Sequence, residues 1–188
     1  MTLQQQHITI DKCTYPSLRF YPPWDAYSTY HISGLIHLIL DIVKIGENLT
    51  GVEVGSFIGE SSTLFLSFPQ ITSLTCIDAH DQPLLRKRLQ RFINDKRCVY
   101  VVDSSEKAAK ALCNTYDFVY IDADHSYQSV KQDIHLWFPK VRSGGVICGH
   151  DYSSSWPGVM QAVDEFIDAH NLELKCYEDS SWSVIKNN

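Results

Sequence analysis

Residues 117–130 read DFVYIDADHSYQSV: four apolar residues, Phe118 to Ile121, are followed at once by Asp122, Asp124 and His125. A carboxylate at the end of a buried strand is costly unless a positive charge or hydrogen-bond donors meet it. A second such end occurs in GGVICGHDYSS (144–154), which carries His150 and Asp151. Two carboxylates on neighbouring strand ends suit a hard divalent cation, Mg²⁺ or Mn²⁺, whose charge offsets their repulsion. An imidazole beside them offers a proton acceptor near neutral pH, or a ligand that favours the softer Mn²⁺. A third stretch, GVEVGSFIGESS (51–62), sets Glu53 inside an apolar run and spaces two glycines as E-x-G-x-x-x-G. Gly55 permits a tight turn and close backbone approach, and Gly59 lets a helix begin beside a ligand.

The elements that must position these groups alternate from residue 31 onward. Strands are expected at 50–54, 73–78, 98–102, 117–122 and 144–149. Helices are expected at about 32–46, 59–68, 82–94, 104–113, 126–138 and 158–170. Asp81 is expected to cap the helix that carries Pro83 in its first turn, and Asp103 with Glu106 to form a capping-box-like pair. Asp124 has an ordinary explanation as the cap of the helix near Ser126. Short, continuous apolar strands between helices predict a parallel sheet covered on both faces. ELKCYED and SWSVIKN, separated by a short polar turn, predict a terminal antiparallel hairpin. The fold class is therefore a doubly wound α/β domain, in which ligands bind outside the carboxyl ends of the strands. Asp122 and His125 fall on that edge.

The chain of 188 residues reads as one domain, 31–188, preceded by an arm at 1–30. The arm is rich in aromatic residues and proline, including Tyr21, Trp24, Tyr27 and Tyr30. It can pack on the domain, pair with a second copy or wall a binding site. The net charge of −6, without any run of Lys or Arg, argues against nucleic acid. LLRKRLQRF (84–92) reads as a solvated helix face. Six scattered cysteines without a CxxC pair argue for reduced thiols in a cytoplasmic protein and against zinc. The opening MTLQQQHITIDK has no apolar core, so no signal peptide is expected. The apolar stretch at 32–43 is too short for a membrane span and is interrupted by His37 and Asp41.

GVEVGSFIGESS, followed by an acid in TCIDAH, resembles the class I S-adenosylmethionine-dependent methyltransferases. The resemblance implies that Glu53, Gly55, Ser56 and Gly59 surround the methionine moiety and that Asp78 binds the ribose hydroxyls. It places Asp103 and Ser104 near the adenine, although helix capping explains Asp103 equally well. IDADHSY, GGVICGHDY and PGVMQAVDEF together resemble the metal-dependent small-molecule O-methyltransferases, closest to the macrocin-type sugar branch. That likeness implies a Mg²⁺ or Mn²⁺ site at Asp122, His150 and Asp151, with Asp122 also facing the cofactor. It assigns His125 as the base that takes the proton of a sugar, phenol or natural-product hydroxyl. His150 departs from the family pattern, which has an acid there, so it is either a ligand or a hydrogen-bonding neighbour. Tyr152–Trp156 is a further stretch that can line the acceptor pocket. A nicotinamide-dependent oxidoreductase on the same architecture is the first alternative, although no G-x-G-x-x-G follows the first strand. A non-catalytic binding module is the second.

Overall fold

The computed structural model describes the backbone of residues 8–10, 13–15 and 30–187, and side chains from Ser33 onward. Of the arm, β1 (Ile8–Ile10) and β2 (Cys13–Tyr15) pair antiparallel. Tyr21, Trp24 and Tyr27 lie outside the described residues, as does the side chain of Tyr30.

The main sheet has seven strands: β3 (Leu49–Val54), β4 (Ile71–Asp78), β5 (Cys98–Val102), β6 (Tyr116–Ile121), β7 (Val141–Gly149), β8 (Leu174–Cys176) and β9 (Trp182–Ile185). Their spatial order is β5-β4-β3-β6-β7-β9-β8. The first five pair in parallel. β9 runs antiparallel to both β7 and β8, which is the expected hairpin. The helices between them are α1 (Tyr30–Ile42), α2 (Glu60–Ser67), α3 (Pro83–Asn94), α4 (Ser105–Ala111), α5 (Tyr127–Trp137) and α6 (Pro157–His170). Among the described residues, no helix is long and apolar enough to cross a membrane.

Alternation along each strand sends side chains to opposite faces, and both faces here are apolar. Phe118 and Tyr120 join Phe65 of α2 and Ile39 of α1 in one core. Val119 and Ile121 join Trp137 of α5 and Val163 of α6 in the other. This is why the strands read as unbroken apolar runs. The strand order reverses between β3 and β6, so their carboxyl ends lie side by side at the switch point where such sheets bind ligands.

Three helix starts differ from expectation in the same direction. The cap positions are Gln82, Ser104 and Ser126 rather than Asp81, Asp103 and Asp124. Asp103 accepts from Ser104 N at 2.8 Å and Asp124 from Ser126 N at 2.7 Å. Each acid turns the chain into the cap instead of serving as it, the local bond that Asp side chains make in turns. Asp81 instead pairs with Arg86 at 2.8 Å.

One buried acid joins the two helices flanking the sheet's carboxyl edge. Asp133 of α5 accepts from the Ser105 hydroxyl of α4, and that hydroxyl accepts from Trp137 Nε1 at 2.9 Å. Burial pushes the Asp133 carboxyl up to about 6, against the Ser105 bond that favours its charge. The folded pKa lies above that of an ordinary aspartate, near 3.8, so stability is full below that value and is lost as pH rises through 6. Asp133→Asn removes the cost of ionising a buried acid while keeping an acceptor for Ser105. It should stabilise the protein at pH 8 by about 1–2 kcal/mol, short of the full ~3 kcal/mol of the shift because the charge-assisted bond is lost. The gain should vanish near pH 4. Urea denaturation at the two pH values checks this.

Candidate functional site

The ends of β3, β4 and β6 open into one cavity of about 1000 Å³, the size expected of a small-molecule site. Gly55 forms its floor at φ +91°. A Cβ there would lie 2.1 Å from the Asp122 carbonyl oxygen, so only glycine lets the two strand ends meet. Asp122 N donates to Val54 O at 2.9 Å and ties the second end to the first.

Glu53 is fully buried one layer below. Its two oxygens accept from the hydroxyls of Ser61 and Ser62, in the first turn of α2. Burial raises its pKa, and those two bonds oppose the rise. It therefore acts as a strut between strand and helix. Gly59, at φ +79°, starts α2 against Leu85 and Leu89. Glu53, Gly59 and Ser104 do not line the cavity, whereas Gly55, Ser56, Asp78, Asp103 and Asp122 do. Of the eight residues that the resemblance places around a cofactor, those five line the cavity.

Asp78 spans the cavity's second wall. Its Oδ2 accepts from Phe57 N at 2.8 Å and its Oδ1 from His80 N at 2.9 Å. Each oxygen keeps a lone pair toward the cavity. Phe57 stands there with an exposed ring and a positive φ of 42°. Arg88 supports this loop from below by donating to Ile58 O at 2.9 Å.

Asp122 and His125 also line the cavity, and their donor atoms and that of Asp151, outside the lining, lie within 4.8 Å of one another. His125 Nε2 is 3.0 Å from Asp151 Oδ2 and 3.6 Å from Asp122 Oδ1. Contact with Asp122, then the charge of Asp151, raises the His125 pKa against the cost of burial. Asp151 sits at φ +62°, an uncommon conformation for a residue with a side chain and one found at functional sites. Burial would raise its pKa, but the hydrogen bond to His150 and the charges of both imidazoles bring it down.

Of the two roles left open for His150, its contacts are those of the hydrogen-bonding neighbour. It lies outside the gathered trio, and its Nδ1 meets Asp151 Oδ1 at 3.2 Å. Burial disfavours its charged form, yet the Asp151 bond and the charges of Asp122, Asp151 and Asp179 lift it to about 9. His125, not His150, stands with the two acids. The two carboxylates are hard oxygen donors that fit a divalent cation of the Mg²⁺ or Mn²⁺ type, with the His125 imidazole beside them.

Trp156, just before α6, lines the cavity and packs edge-on against the His125 ring, with centroids 4.4 Å apart. Gly158 makes this possible: a Cβ there would lie 2.9 Å from His125 O and 2.7 Å from Tyr127 N. Tyr152 turns away and donates to Asp164 at 2.6 Å. Sequence reasoning missed Ser105 and His80 of the wall and the two serines that hold Glu53. The serines carry a signal, since a buried strand acid needs hydroxyl partners and GESS follows directly.

Residues 52–152 match a family model described as a methyltransferase domain. An uncharacterised protein of Acanthamoeba polyphaga mimivirus, R132, is 29% identical over 182 residues, covering 85% of this chain and 81% of that one. Among solved structures, an O-methyltransferase from Bacillus cereus in complex with SAH shares 15% identity at a TM-score of 0.64, covering 88% of this chain and 84% of that one. Cofactor-bound Rv0187 from MTB shares 18% at 0.65, with the same coverage. MycE, from the mycinamycin biosynthetic pathway and in complex with Mg and SAH, shares 18% at 0.57, covering 75% and 46%. These structural likenesses establish the seven-stranded Rossmann-like methyltransferase fold.

Gly55→Ala tests the meeting of β3 and β6. It should lower stability by about 3 kcal/mol or more, since it adds a backbone clash to an unfavourable φ. Chemical denaturation should show the loss, while Gly144→Ala, where the nearest contact is a flexible Arg142 end at 3.4 Å, should cost less.

Proposed function

The chain belongs to the methyltransferase-domain family, and on that premise we propose that it is an S-adenosylmethionine-dependent O-methyltransferase acting on a small-molecule hydroxyl. The observation that carries this reading is the Asp122–His125–Asp151 trio, two members of which line the same cavity as Asp78. Asp78 can hold a nucleoside and the trio can activate an oxygen.

Bound S-adenosylmethionine would supply a methyl group on a positively charged sulfur. Gly55 and Ser56 line the floor for its methionine part, and the free lone pairs of Asp78 accept from the ribose hydroxyls. Asp103 lies on the adenine side. A divalent cation held by Asp122 and Asp151 would supply Lewis-acid chemistry and the countercharge those two acids need. His125 takes the proton of the acceptor hydroxyl through Nε2, the atom that faces both carboxylates. Trp156 keeps the imidazole in that orientation by covering one side of its ring. The protein's share of the work is alignment and preorganised charge. Family membership sets aside the nicotinamide-dependent alternative.

Methyl transfer from labelled S-adenosylmethionine to a panel of sugars and phenols, with Mg²⁺, Mn²⁺ or EDTA, tests the proposal. Turnover should require the cation and should be lost in Asp122→Ala and Asp151→Ala, with cofactor still bound. Full turnover in EDTA removes the cation from the reaction, and no turnover with any acceptor favours a binding module. His125→Ala should cost about 10²–10⁴-fold in rate, the range of a general base. Asp78→Ala should weaken cofactor affinity in calorimetry; unchanged affinity refutes its ribose contact.

A further inference from the structure

Asp151 divides its carboxylate between two imidazoles. Oδ2 meets His125 Nε2 at 3.0 Å, and Oδ1 meets His150 Nδ1 at 3.2 Å. The two histidines are not equivalent. His125 lines the cavity on the loop between β6 and α5, and its nitrogen falls within the gathered donor atoms. His150 does neither.

The His150 backbone is held from two sides. Its N donates to Ile121 O of β6 at 3.2 Å, and its carbonyl accepts from Trp182 Nε1 of β9 at 3.2 Å. Gly149 before it has no room for a Cβ, which would lie 2.4 Å from Ile121 O and 2.8 Å from Trp182 Nε1. Tyr152 N, on the far side of Asp151, donates to Ser180 O at 3.0 Å. Asp151 therefore sits in its left-handed backbone between two fixed neighbours, and its carboxylate is held at both oxygens, Oδ2 by His125 and Oδ1 by His150. Of these two holds, His150 is the one on a backbone pinned by β6 and β9.

We infer that His150 is a positioning residue. It stands outside the cation's coordination sphere and orients Asp151 so that Oδ2 faces Asp122 and His125. This rests on the reading of Asp122 and Asp151 as cation holders. It gives His150 a duty distinct from an acid at the same position, which would add a charge and a ligand. Groups that orient a ligating carboxylate typically matter by about 10–100-fold in metal affinity.

Mn²⁺ serves as the probe, since calorimetry measures its affinity and pulsed electron paramagnetic resonance reports nitrogen bound to it. His150→Phe should weaken Mn²⁺ binding by about 10–100-fold, with unchanged affinity for S-adenosylhomocysteine and any nitrogen coupling of the wild type retained. His150→Asn, which keeps a donor near Oδ1, should recover most of the affinity, and this holds the test open if the Phe variant folds poorly. Wild-type affinity in both variants overturns the inference and leaves the cation site standing. A nitrogen coupling that disappears with His150 also overturns it, by making His150 a ligand. A wild-type protein that binds S-adenosylhomocysteine but not Mn²⁺ overturns the cation reading and the inference with it.

Discussion

Two acids at adjacent strand ends cannot share one edge of a sheet without positive charge between them. Asp122 and Asp151 are brought together because β6 and β7 are parallel neighbours, so both chains emerge at the same side. Their repulsion in a half-buried place is offset by His125 and His150, each within hydrogen-bonding distance of Asp151. Much of this wall follows from that need. The left-handed turn at Asp151 presents the acid, and Trp156 and Gly158 press the His125 loop against it.

The second constraint is proximity of backbone. β3 and β6 meet so closely at the switch point that Gly55 touches the Asp122 peptide. The glycine in this motif therefore serves the union of the strands as much as it serves any ligand. Glu53, which a motif reading turns toward a cofactor, also ties β3 to α2 through two serine hydroxyls. One short stretch thus holds a strand–helix joint and part of the cavity lining.

The alternation of strands and helices was legible because both faces of the sheet are covered. Continuous apolar runs such as Phe118–Ile121 and Val146–Cys148 leave little room for another reading. The terminal hairpin was legible from its polar turn. Helix caps were not, because Asp103 and Asp124 accept from the serine's own N–H while the serine hydroxyl takes the helix donor three residues on, and spacing alone does not separate these two roles. In the site, the sheet-edge residues Asp78, Asp122, His125 and Asp151 could be placed from chain order. The different placement of His125 and His150 could not. It depends on the rotamer of Asp151 and on a clamp from β9, a strand distant in sequence. The walls supplied by Ser105 and His80 were hidden for a similar reason, since neither belongs to a motif.

Gly158 couples two segments that lie far apart along the chain. With no side chain between them, the start of α6 and the loop after β6 meet backbone to backbone. The indole and the imidazole it joins are then a composite surface, inherited or lost together. Attempts to retune which molecule enters this cavity by exchanging one loop alone would leave half of that surface behind, so the grafting unit is the pair.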